Sequence, residues 1–157
     1  MLRSTTIAIA LSILPFTPAL AQTTVQVMTI DGAVREVDLK ALPRHEVAAQ
    51  QQGLKRMFSG VLLRDVLRQA GVAFGEAIRG PVLRRYVAVV GKDGYKAVYA
   101  LAELDEGFTD DPVLLADAMD GHPLIFDEGP LPTIAPADKR GGRWVRQVTR
   151  VEVRDAP

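Results

Sequence analysis

The chain has 157 residues, with 19 Lys and Arg against 19 Asp and Glu, 48% hydrophobic residues and no cysteine. A missing thiol excludes disulfides, thiolate metal ligands, iron–sulfur clusters and cysteine nucleophiles together. The balanced charge lacks the basic excess of a nucleic-acid binder.

In chain order, Met1 to Thr6 carries one cationic side chain, Arg3, and Ile7 to Leu14 is almost wholly apolar. Ala19-Leu20-Ala21 then puts small residues where a signal peptidase reads. This pattern predicts a secretory leader over residues 1–21, cleaved after Ala21, and a periplasmic protein. The apolar run is too short to span a bilayer and is broken by Pro15 and Pro18. Residues 22–157 are then one domain, because no linker, repeat or low-complexity tract divides them.

Val25 to Ile30 and Ala33 to Leu39 alternate around Asp31-Gly32 and predict an opening hairpin. Gly60 to Ala70 predicts a helix: Leu62, Leu63, Val66, Leu67 and Ala70 share a stripe, Ser59 is the expected N-cap and Gly71 the stop. Arg85 to Val90 and Tyr95 to Leu101 predict a second hairpin through Lys92-Asp93-Gly94. Residues 111–124 stay open on local rules, since Asp111-Pro112 suits a helix start and Asp120-Gly121 a turn between strands. Gln147 to Arg154 alternates as a closing strand, with Thr149, Val151 and Val153 on one face. Short strands with one firm helix indicate a mixed α/β or α+β domain.

Motifs for enzyme chemistry are scarce. There is no Gly-rich phosphate loop, no G-x-S-x-G elbow, no H-E-x-x-H and no calcium loop. His45 and His122 are the only histidines, and they stand in no ligand spacing, so no metal site and no catalytic residue is assigned. Asp105-Glu106, Asp110-Asp111 and Asp127-Glu128 fall in loop-like stretches and read as solvated surface. The late segment is richer. A proline-rich lead, Gly129 to Pro136, runs into Ala137-Asp138-Lys139-Arg140-Gly141-Gly142-Arg143-Trp144-Val145-Arg146, which holds the one tryptophan. Arg140, Arg143 and Arg146 can donate to a phosphate, carboxylate or ring carbonyl, Gly141-Gly142 lets backbone amides approach a flat heterocycle, and Trp144 offers a stacking face. These residues alone equally suit a tryptophan that seals the core edge beside a solvated basic turn.

Five stretches taken together resemble a known family. They are Phe58-Ser59-Gly60-Val61-Leu62-Leu63-Arg64-Asp65-Val66-Leu67; Gly91-Lys92-Asp93-Gly94-Tyr95; Leu114-Leu115-Ala116 through Met119-Asp120-Gly121-His122-Pro123-Leu124; Gly129-Pro130-Leu131; and Gly142-Arg143-Trp144-Val145-Arg146-Gln147-Val148. In this order they are similar to the oxidoreductase molybdopterin-binding domain, the fold of sulfite oxidases and their smaller exported relatives. The resemblance implies strand, Asp-Gly turn and strand for residues 111–124. It also implies that the Phe58 loop, the Asp-Gly-Tyr hairpin ending at Tyr95 and the basic Trp144 loop gather around a pterin.

Two departures matter. Catalytic members hold molybdenum through a cysteine in the stretch aligned with Val47 to Gln52, which here reads Val-Ala-Ala-Gln-Gln-Gln. Small relatives often place an aromatic after Gly-Pro-Leu, where this chain has Pro132. The resemblance thus implies a non-catalytic exported pterin receptor. In it Trp144 and Phe58 sandwich or edge the ring, Arg140 and Arg143 donate to its oxygens, Tyr95 joins the pocket, and Asp127 or Glu128 accepts from its amino edge. The partner implied is an inner-membrane signalling protein. The alternatives are a molybdopterin-dependent oxidoreductase whose metal is completed by a non-protein ligand, and a scaffold that serves only as an interaction module.

Overall fold

A computed structural model describes residues 23–124 and 130–157. The predicted leader lies outside the described residues. The opening hairpin forms from β1 (Thr24–Met28) and β2 (Val34–Asp38), antiparallel with Val25 opposite Val37. A second, longer hairpin follows, β3 (Arg44–Gln51) with β4 (Leu54–Leu62). Its two-residue turn puts Gln52 at φ 51° and Gly53 at φ 80°, the left-handed pair that keeps both strands in step with their twist.

The second hairpin corrects the expected helix start. Residues 60–62 belong to β4, and the helix is α1 (Leu63–Gln69), capped at Leu62 with no side-chain bond, while Ser59 lies within the strand. The reason is tertiary. A Cβ at Gly60 would stand 2.0 Å from the Leu115 carbonyl oxygen, so the glycine serves close strand approach rather than a helix entry. The stripe still faces inward, with Leu63, Val66, Leu67 and Ala70 buried, and the Arg35 guanidinium donates to the Ala70 carbonyl at the helix end.

β5 (Arg85–Gly91) and β6 (Lys96–Ala100) make the expected hairpin. β7 (Leu114–Met119) and β8 (His122–Pro123) resolve residues 111–124 as strand, Asp120-Gly121 turn and strand. β9 (Thr133–Ile134) pairs with β7, and β10 (Val148–Asp155) closes the chain.

The strands form two sheets in a mixed α+β architecture. One runs β2-β1-β10-β5-β6, with β1 and β10 parallel, and the other β3-β4-β7-β8, with β9 also on β7. Across the first sheet Val27, Val151, Val89 and Ala97 stand in register, a continuous apolar row facing the larger core. A register shift between Val148 and Arg150 turns Val148 into that core beside Val151 and Val153, where strict alternation would have set it with Arg150. On the opposite face Glu152 is covered by Arg150 and Arg154, which bond its two carboxylate oxygens at 2.7 and 2.8–2.9 Å. Burial raises its proton affinity, but those cations outweigh it and hold the carboxyl below its usual range. A smaller core on the second sheet gathers Val47, Phe58, Leu62, Leu114 and Ile134. Trp144 packs against both clusters.

Candidate functional site

The loop between β9 and β10 is fixed before any ligand is considered. Arg140 is extended and residues Gly141–Arg143 form one 3-10 turn. β9 holds that turn from below: the Thr133 amide donates to the Val145 carbonyl at 2.9 Å, and the Thr133 hydroxyl donates to the Arg143 carbonyl at 2.9 Å while accepting from the Val145 amide at 2.7 Å. Tyr99, fully buried on β6, also donates to the Arg143 carbonyl, at 2.8 Å. Burial pushes the Tyr99 phenol up to about 12.

Arg143 has its donors turned inward. Nε and Nη2 reach the two oxygens of Asp138 at 2.9 and 2.6 Å, Nη1 reaches Glu103 at 2.7 Å, and the guanidinium lies 4.5 Å from the Tyr99 ring centroid. The bonds to Asp138, with Glu103 adding to them, hold the guanidinium still more firmly protonated. Such a fork fixes geometry more than it adds stability, because over a third of the side chain remains in water.

Trp144 donates its indole N–H to the Ala135 carbonyl at 3.3 Å, which satisfies its polar edge and leaves ring surface to the exterior. Phe58 is fully buried and meets that ring edge-on, centroids 5.7 Å apart. Phe58 therefore braces Trp144 from the core and lines none of the clefts described next. Tyr95 is half exposed, and its hydroxyl donates to the Gly142 carbonyl at 2.7 Å, tying the β5–β6 turn to the loop.

Three open clefts converge on Gly141. One, of about 270 Å³, has Asp93, Tyr95, Gly142, Trp144 and Arg146 in its wall. A second, of about 210 Å³, shares Trp144 and Arg146 and adds Gln51, Gln52 and Pro132. The largest, about 430 Å³, runs past Ala48, Ala49 and Gln50 to Lys55, Lys139 and Arg140. Lys55, Lys139, Arg140 and Arg146 form no ion pair with another described residue, so the combined surface is cationic. Arg143 lines instead a separate cleft of about 260 Å³ beside Tyr99, Glu103 and Asp138.

Of the residues expected at a site, the structure brings Trp144, Arg140 and Tyr95 to these clefts and sets Phe58 and Arg143 behind them. Asp127 lies outside the described residues, as does Glu128. Sequence reasoning missed Asp138 and Glu103, whose pairing with Arg143 crosses between loops and leaves no local signal. It also missed Lys55, which reaches the site only through the unforeseen β3–β4 hairpin.

Among the described residues, a mixed fold with two sheets, one α-helix and a hydrogen-bonded basic-aromatic loop set beside the β3–β4 hairpin defines a ligand-binding domain of the sulfite-oxidase type. The family model described as the oxidoreductase molybdopterin binding domain matches residues 22–157, and the chain belongs to that family. A search of the curated proteins returned no match. Membership brings a pterin-type group as the ligand class. The clefts fit the organic part of such a group: an indole face, backbone at Gly141-Gly142 that comes close without side chains, and cationic donors. They do not fit the metal. The chain has no cysteine to supply a thiolate, the cleft walls from Ala48 to Gln52 carry only methyl groups and neutral amides, and no three His, Asp or Glu side chains cluster among the described residues. Neutral amides and methyl groups are poor donors for a high-valent ion.

Proposed function

We propose that the protein is an exported, non-catalytic pterin-binding receptor that holds a reduced pterin against Trp144 and reports its occupancy to an inner-membrane partner. The observation that supports this reading is the convergence on Gly141 of clefts that carry the Trp144 ring and cations without carboxylate partners among the described residues, in a chain that has no cysteine to hold a metal. Tyr95 and Arg146 border the ring site, Arg140 lines the neighbouring cleft on the other side of Gly141, and Phe58 and Arg143 hold the site in shape from behind. Export rests on the leader pattern of residues 1–21, and the family match begins directly after it.

Anaerobic titration of the purified protein with tetrahydropterins tests the binding. With Trp144 the sole indole, binding quenches or shifts its emission and raises the melting temperature with ligand concentration. No response to any pterin overturns the reading. The family's oxidoreductase character favours one other reading, a molybdopterin enzyme whose metal is completed by a non-protein ligand. Stoichiometric molybdenum after expression in a competent host would establish that instead.

A further inference from the structure

Resting on the pterin reading, we infer that Asp93 is the specificity-determining residue that reads the 2-amino-pyrimidine edge of the ring. A pterin presents two adjacent donors there, the ring N3–H and the 2-amino group, followed by the acceptor O4. A site that distinguishes it from other bicyclic heterocycles needs an acceptor facing the donor pair and a donor facing O4.

Among the described residues in the walls of the three converging clefts, two carboxylates occur, Asp93 and Asp138. Both oxygens of Asp138 are taken by Arg143. Asp93 accepts one bond, from the Tyr95 amide to Oδ1 at 2.9 Å, and its Oδ2 receives none from a described residue. It shares its cleft with Trp144 and with Arg146, whose guanidinium has no carboxylate partner among the described residues. Acceptor, stacking face and donor thus border one cavity of about 270 Å³, large enough for a bicyclic ring.

The carboxylate is also held in place. A Cβ at Gly91 would come within 2.7 Å of the Arg146 carbonyl oxygen and 2.9 Å of Asp93 Oδ1, and the Lys92 amide donates to the Gln147 carbonyl at 3.0 Å. The turn that carries Asp93 therefore packs directly on the segment that carries Arg146. The Tyr95 hydroxyl bond to Gly142 closes the same junction from the other side. Asp93 is fixed by its own turn and still has one oxygen to offer.

The test compares pterin with lumazine, the same ring system with a 2-oxo group in place of the 2-amino group, on the wild type and on Asp93→Asn. Asparagine still accepts from the Tyr95 amide through Oδ1, so the turn survives, and unchanged thermal stability verifies it. The wild type prefers pterin by about tenfold or more, because lumazine turns a carbonyl toward the carboxylate. In Asp93→Asn the amide can donate to the 2-oxo group, and the preference collapses or reverses. A merely structural role would weaken both ligands alike and leave their ratio unchanged, and that result overturns the assignment. If the wild type binds neither ring, the pterin reading itself falls.

Discussion

Phe58 stands edge-on to Trp144, with ring planes at 82°. One ring is sealed in the core and the other is partly open, so the contact passes the packing of the second sheet directly to the wall of the clefts. Phe58→Ala removes a large buried side chain and costs about 3–5 kcal/mol. Phe58→Leu keeps most of the volume, costs about 1–2 kcal/mol, and frees the indole from its edge contact. Urea unfolding measures the first effect. A red shift and lower anisotropy of Trp144 emission in folded Phe58→Leu measure the second, together with weaker pterin binding.

Arg143 gives a different expectation from a ligand-contacting arginine. Arg143→Lys cannot keep two bonds to Asp138 and one to Glu103 at once, so the turn over Gly141–Arg143 loosens. The loss in stability is about 1 kcal/mol, given the solvent exposure of the pair. Asp138→Asn should cost a similar amount, and the double variant less than the sum of the two. A thermodynamic cycle of chemical denaturation checks this. If Arg143 instead touched the ligand, Arg143→Lys would lower affinity while Asp138→Asn left it intact.

Tyr99 predicts an alkaline limit to stability. Its phenol is raised from an unfolded value near 10 to about 12 by burial. The folded state therefore keeps a proton that the unfolded chain releases. Its contribution is complete below pH 10 and is lost as pH rises from 10 toward 12. Phenolate absorbance in the wild type minus that in Tyr99→Phe should show an ionisation near pH 12, and the fall in stability over this window should flatten in the variant.

How much was readable in the sequence depended on whether a segment's partners were local. The hairpins at Asp31-Gly32 and Asp93-Gly94 were legible because turn residues and alternation sit side by side. The Leu63–Gln69 helix was legible in its stripe but not in its start, since Gly60 answers to the backbone of Leu115 on another strand. The β3–β4 hairpin escaped because Ala48, Ala49 and three glutamines give no strand alternation, although Gln52-Gly53 marks its turn. Trp144 and Arg140 could be picked out because the one tryptophan and the arginines around Gly141-Gly142 lie side by side in one segment. That Arg143 turns inward to Asp138 and Glu103, and that Asp93 faces the site, are consequences of loop packing that no spacing rule expresses.

The cations around the largest cleft make a last prediction about the tail of the ligand rather than its ring. Lys55, Lys139 and Arg140 border that cleft without carboxylate partners among the described residues, and each is exposed. Their attraction for an anion is long-ranged in low salt and screened once the Debye length shrinks from about 10 Å at 0.1 M to about 3 Å at 1 M. A pterin carrying a phosphate should therefore bind more tightly than its unphosphorylated counterpart in low salt, and the difference should narrow as salt is raised. Lys139→Gln with Arg140→Gln should remove most of that difference while changing affinity for the unphosphorylated ring by less than about twofold, because the indole face and the Asp93 edge are untouched. Titrations of both ligands at two salt concentrations measure it. An equal loss for both ligands would mean that the two cations contact the ring itself.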